Sequence, residues 1–182
     1  APFAEPGTGE AGIVELADGT LVYDSRPHWH ADPEDPPLRR RQALSRDGGE
    51  TWTDWRIVPS RPDSPQDSTY GCMGGFVRLP VAGRDILLSS NCDSDRGRVR
   101  GTVWVSFDGG RTWPLKRLVH PGSFAYSSLA AGRPGTPSAG SIFLHFESGG
   151  GSRLARFNLA WLLEGEATGD GGIPAWAAEE RE

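Results

Sequence analysis

Three groups of side chains in this sequence have types that could do chemistry, and their spacing decides what each can carry. His28-Trp29-His30 sets two imidazoles close together, as in a zinc site, but no acidic or Cys partner stands at the fixed spacing a metal site needs. Cys72 and Cys92 also lack metal-ligand spacing and have no His partner nearby in sequence. They read as two thiols of a core, with a single disulfide in a secreted protein as the alternative. Arg39-Arg40-Arg41 is a run of positive charge in which strand alternation sends Arg40 to the face opposite its neighbours. A solvated charge run is the expectation there. Tyr126 lies in a strand-like stretch, where a tyrosine taken alone is usually a core residue. None of these patterns asks for a metal or an organic cofactor. The net charge of −5 gives no reason to expect nucleic acid or an acidic membrane surface as a partner.

The elements that must position any such residues are short strands. The chain has 182 residues, enough for one domain with a core, and its 25 Gly and 15 Pro spread turn chemistry along its whole length. No run of eighteen apolar residues occurs, so no membrane span is expected. Residues 1–9 lack the basic and apolar regions of a signal peptide. Ser45-Arg46-Asp47-Gly48-Gly49-Glu50-Thr51-Trp52 recurs sixty-one positions later (45 to 106) as Ser106-Phe107-Asp108-Gly109-Gly110-Arg111-Thr112-Trp113. Each copy follows an alternating strand, at 41–44 and 101–105, and has the chemistry of a hairpin. Asp caps backbone N–H groups, the Gly pair supplies positive φ, and Thr-Trp opens the next strand with a ring to bury. Further strands are expected at 12–15, 21–25, 75–79, 85–89, 124–130, 141–147 and 153–159, with turns between them. The total is ten to twelve strands in hairpin order, or about three four-stranded blades. Residues 164–182 are Gly- and Glu-rich and are expected to form a disordered tail, since Trp176 is too little to order them.

The repeated hairpin resembles the Asp-box (BNR repeat) of sialidases, also called neuraminidases, and related β-propellers, where it works structurally and lies away from the active-site face. The resemblance continues residue by residue over positions 5 to 163. Glu10 to Gly19, followed by Asp24-Ser25-Arg26, is similar to the family segment that carries a catalytic Glu and ends on a clamp arginine. By that match Glu10 is the catalytic residue and Glu15 is not. Asp24 stands where the family usually has Asn, and Ala11 where Pro is common. Arg98 matches the second clamp arginine in preference to Arg96 and Arg100. Phe124 to Leu129 resembles the strand bearing the family's tyrosine nucleophile, which assigns that role to Tyr126. Glu147 matches a carboxylate that holds another clamp arginine in place, and 153–161 resembles the closing strand of the domain. The resemblance implies an all-β fold, with residues 1–163 as the C-terminal half of a six-bladed propeller of the bacterial exo-α-sialidase type.

What these residue types do together follows from the substrate the resemblance implies, a sialylated glycan. Sialic acid carries a carboxylate on its anomeric carbon, and arginines grip such a group as planar forks. A carboxylate nucleophile would be repelled by it, whereas a neutral phenol is not, and sialidases are the tyrosine exception among retaining glycosidases. A free phenol titrates at about 10, so it needs a base within hydrogen-bond reach, the role implied for Glu10. The family's acid/base Asp and its first clamp arginine belong to early blades and find no match here. The missing N-terminal half is therefore an expected partner, and little activity is expected from these residues alone. Competing readings are a non-catalytic Asp-box propeller that binds glycan or protein, and a trans-sialidase with the same core residues. The insertion 27–38, with Trp29, could rim the pocket, and 63–72 could reach the sugar's glycerol or N-acyl arm. The family implies a secreted or cell-surface location.

Overall fold

In the computed structural model, which describes residues 8–27, 38–63, 65–67 and 71–179, hairpins follow the turn chemistry. At 17–20, Asp18 Oδ1 accepts from Thr20 N (2.9 Å) and Gly19 takes φ 85°, which joins β1 (Thr8–Glu15) to β2 (Leu21–Pro27). β3 (Arg39–Ser45) and β4 (Thr53–Pro62) complete a four-stranded antiparallel sheet in chain order. β5 (Phe76–Arg78), β6 (Leu87–Cys92), β7 (Val99–Ser106) and β8 (Leu115–Ser123) form the second sheet. β9 (Ser127–Ala131), β10 (Ile142–Ser148) and β11 (Gly151–Phe157) form the third. A two-residue strand, β12 (Glu166–Ala167), pairs with β8 and widens the second sheet to five strands.

The sheets stack as neighbours, with β1 beside β5 and β5 beside β9, so the first strand of each sheet lines a common axis. The central sheet is buried on both faces, and its alternation shows how. Leu87 and Trp104 turn toward the first sheet, joining Val14, Val22, Val58 and Trp113. Leu88, Val103 and Val105 turn the other way, joining Leu129, Ile142, Leu144 and Phe146 of the third. Two apolar seams therefore hold three blades together. Among the described residues the sheets do not close into a ring, as befits part of a propeller. The same residues include no helix long and apolar enough to cross a membrane.

The two repeated hairpins are built alike. In the first, Asp47 Oδ1 accepts from Thr51 N (3.0 Å) and Ser45 Oγ (2.7 Å), and Ser45 Oγ accepts from Gly49 N (2.9 Å). In the second, Asp108 Oδ1 accepts from Thr112 N (3.0 Å) and Ser106 Oγ (2.8 Å), and Ser106 Oγ accepts from Gly110 N (2.8 Å). Both lie where odd-numbered strands end and even-numbered strands begin, one end of the blades.

Three sequence expectations change. The strand expected at 124–130 starts only at Ser127, because Phe124 N donates instead to Arg98 O (2.8 Å) and Ala125 N to Glu147 O (3.1 Å). The strand expected at 153–159 stops at Phe157. Asn158 accepts from Trp161 N (2.8 Å) and caps a short helix, α1 (Leu159–Leu163), in place of a closing strand. The disordered tail fails over residues 164–179. Asp170 accepts from Trp113 N (3.1 Å) and Ser60 Oγ (2.6 Å), and α2 (Ala175–Glu179) buries Ala177. Trp176 packs edge-on against Phe107 and under Arg84, so neighbours absent from the local sequence order this stretch.

Candidate active site

At the end of the blades opposite the hairpins, odd strands begin and even strands finish. Glu10 lies near the start of β1 and Arg26 near the finish of β2. The register jumps there from Thr8 opposite Pro27 to Ala11 opposite Ser25, so Gly9 and Glu10 together face Arg26. Such a bulge re-aims a side chain, and Ser25 Oγ, donating to Gly9 O (3.2 Å), spans it. The carboxylate of Glu10 meets Arg26 Nη1 at 3.0 Å.

Arg26 is buried, and its Nη1 also donates to Tyr126 OH (3.1 Å) and to Gly71 O (3.1 Å). Three oxygens thus share one nitrogen with two hydrogens. The Glu10 contact is accordingly an ion pair rather than a well-directed hydrogen bond, and Glu10 Oε2 accepts none among the described residues. The phenol and the carboxylate lie no more than two hydrogen-bond lengths apart, across 116 positions of chain (10 to 126).

Tyr126 immediately precedes β9. Its main chain is pinned on two sides: Glu147 N donates to Tyr126 O (2.9 Å), and Ser127 N donates to Met73 O (3.0 Å). The guanidinium of Arg98 stands over the Tyr126 ring, 5.2 Å from its centre, and that of Arg26 at 5.9 Å. Nearby, Gly101 makes room for Phe124, since a Cβ there would overlap the Phe124 ring. Arg96 and Arg98 are both exposed, and Arg100 takes φ 59° and donates through Nε to Asp93 O (3.1 Å). Glu147 has an exposed side chain and reaches the group through its backbone. Glu10, Arg26, Arg98 and Tyr126 therefore converge. His28, Trp29 and His30 lie outside the described residues.

Sequence reasoning missed what stands behind Arg26. Arg40, expected in a solvated run, is 1% exposed. It bonds Asp24 Oδ1 through Nε (2.8 Å) and Asp63 Oδ1 through Nη1 (3.2 Å). Arg61 grips Asp24 as a fork, with Nη1 to Oδ2 at 2.7 Å and Nη2 to Oδ1 at 3.0 Å. Gln42 Nε2 adds a bond to Asp24 Oδ2 (3.0 Å), and Asn91 Nδ2 one to Asp63 Oδ1 (2.5 Å). Two buried carboxylates and two buried guanidiniums balance in charge. Burial pushes the Asp24 carboxyl up, but Arg61 and Arg40 outweigh it and hold Asp24 below the usual range. At Asp63 burial wins over Arg40, and its carboxyl is pushed up. The cluster also sets the Gly71 strip, since Asp63 Oδ1 accepts from Cys72 N (3.4 Å). A Cβ at Gly71 would overlap Asp63 Oδ2 and come within 2.8 Å of Arg26 Cβ. The legible signal was an Asp inside a strand with Gln42 directly opposite and Arg40 on the same face.

A partial propeller whose strand ends gather two arginines, a tyrosine and a glutamate defines a class, and comparison with known proteins specifies it. No family model matches the chain. A sialidase of Micromonospora viridifaciens is 35% identical over 158 residues, 86% of this chain and 22% of that protein. A sialidase of Bacteroides fragilis is 30% identical over 135 residues, 70% of this chain and 23% of that protein. Among solved structures, the intramolecular trans-sialidase of Ruminococcus gnavus aligns with TM-score 0.64 at 24% identity, covering 84% of this chain and 33% of that one. The NanB sialidase of Streptococcus pneumoniae aligns with TM-score 0.59 at 22% identity, covering 84% and 22%. The chain is sialidase-type in sequence and fold, and spans under a quarter of the length of these two curated relatives.

Proposed function

We propose that these residues form the nucleophile side of an exo-α-sialidase active site, which releases terminal sialic acid from glycoconjugates with retention. The supporting observation is the meeting of Glu10 and Tyr126 on Arg26 Nη1, with Arg98 over the phenol ring. A substrate carboxylate arriving at Arg26 and Arg98 competes for the nitrogen that Glu10 and Tyr126 share. Displaced from the arginine, Glu10 accepts the phenolic proton, and the Tyr126 oxygen forms a bond to the anomeric carbon as the glycosidic bond breaks. Water then attacks the anomeric carbon and cleaves the tyrosyl-sugar bond, Glu10 returning its proton to Tyr126 while a proton of the water restores the acid that served the leaving group. The leaving oxygen takes its proton from an Asp of an earlier blade, outside these 182 residues, where a further clamp arginine also resides. Glu147, beside Tyr126, positions that arginine. Terminal sialic acids lie on extracellular glycans, which suits secretion or display at the cell surface.

The test is an aryl sialoside assay in two formats. The chain alone should show no turnover, and the chain assembled with complementary N-terminal blades should hydrolyse the sialoside. Tyr126→Phe in the assembled enzyme should abolish turnover with an unchanged circular dichroism spectrum. Retained turnover in that variant overturns the nucleophile assignment. Tight binding of an unsaturated sialic acid analogue that ignores Arg98→Ala overturns the clamp.

A further inference from the structure

Cys72 and Cys92 take no part in that reaction, but they meet at its foundation. Cys72 lies in the strip entering β5, and Cys92 is the last residue of β6. The strip runs antiparallel to the end of β6. Ser90 N donates to Gly75 O (2.9 Å), Gly75 N to Ser90 Oγ (3.0 Å), and Asn91 Nδ2 to Cys72 O (3.4 Å). A Cβ at Gly74 would overlap Ser90 O, so the two segments touch without a gap. Both cysteines are 0% exposed and stand as thiols, and the Cys92 thiol is the largest influence pushing the Cys72 thiol up. Cys92 Sγ in turn donates to Phe124 O (3.0 Å). The same strip supports the site through two carbonyls, Gly71 O on Arg26 and Met73 O on Ser127, the residue after Tyr126.

We propose that Cys72 and Cys92 join as a structural disulfide that ties the Gly71–Gly75 strip to β6. Two buried cysteines on segments that touch without a gap are placed to close to an S–S length of about 2.05 Å. Closure proceeds by exchange with a donor disulfide of the oxidised-glutathione class. One cysteine thiolate attacks the donor and releases its first thiol. The second cysteine then attacks the mixed disulfide and releases the second thiol, so two electrons and two protons pass to the donor. In the folded dithiol, the neighbouring Cys92 thiol and burial push the Cys72 thiol far above its usual range. Thiolate is scarce there, so the bond closes while the chain folds rather than afterwards.

The chain should be refolded in a mixture of reduced and oxidised glutathione, then alkylated in denaturant and weighed. The expected product is a monomer lighter by two hydrogens, carrying no alkyl groups and yielding a peptide linked through Cys72 and Cys92. Its melting temperature should exceed that of the reduced chain by about 5–10 °C. Cys92→Ser and Cys72→Ala should each lose that dependence on reductant. Full alkylation of both cysteines, dimers linked between chains, or an oxidised form that melts below the reduced one would each overturn the proposal. All of these readouts are independent of turnover, so they stand or fall apart from the sialidase reading.

Discussion

One guanidinium nitrogen organises the candidate site, and the residues around it differ in what they contribute. If Glu10 is the base for Tyr126, Glu10→Gln keeps its shape and removes its proton affinity. In the assembled enzyme kcat should fall roughly 10²–10⁴-fold, with binding of an unsaturated sialic acid analogue little changed. An unaltered kcat would assign the base elsewhere. Gly71 serves by being small, since it sits between Asp63 and Arg26 with no room for a Cβ. Gly71→Ala should cost roughly 1–3 kcal/mol in urea unfolding through overpacking. Equal stability would mean that the strip yields.

Among the elements, the repeated hairpins are placed away from the site and stabilised by their own side chains. Thr51 hydroxyl and amide and Ser45 hydroxyl bring the Asp47 carboxyl down to about 2, from an ordinary value of 3.8. A depressed carboxyl stabilises the fold fully above its unfolded value and loses that contribution as pH falls through its folded one. Asp47→Asn should therefore flatten the fall of the melting temperature between pH 4 and 2, a difference that vanishes if the hairpin frays. The stretch after α1 makes the opposite point about locality. Asp170 and Trp176 fasten residues 164–179 onto the second sheet and its neighbours. Truncation after Leu163 exposes the surface under α2 and should lower the melting temperature, whereas a mere tail would leave it unchanged.

For the molecule as a whole, the charged cluster joins the first two blades alongside the apolar seam between them. Asp24 and its arginines belong to the first sheet, while Ser89, which accepts from Arg61 Nη2 (2.6 Å), and Asn91 belong to the second. Arg61 also lies over Trp113, the ring of the second hairpin, 4.0 Å from its centre. Removing one member of a buried pair strands its partners, so Asp24→Ala should cost about 3–5 kcal/mol by chemical denaturation. Because Arg61 and Arg40 hold the Asp24 carboxyl low against its burial, its contribution persists above the ordinary carboxylate range and disappears in acid. A wild-type-like stability for Asp24→Ala would remove the cluster from this role.

Much of this was legible in the chain itself. The Ser-x-Asp-Gly-Gly-x-Thr-Trp repeats announced hairpins because every bond they need lies within eight residues. Alternation placed most strands, and matching motifs picked out Glu10, Arg26, Arg98 and Tyr126. Periodicity, however, states which face a side chain takes and not what covers that face. Arg40 was read as solvated because its partners Asp24 and Asp63 come from other segments, and residues 164–179 looked like a tail because their anchors are Trp113, Ser60 and Phe107. The contact of Arg26 with Gly71 and Tyr126 has the same origin. Sequence alone determined the strands, the hairpins and the candidate side chains, since those depend on neighbours a few positions away. Only the packing of three sheets decided that a carboxylate, a carbonyl and a phenol far apart in the chain share one arginine nitrogen.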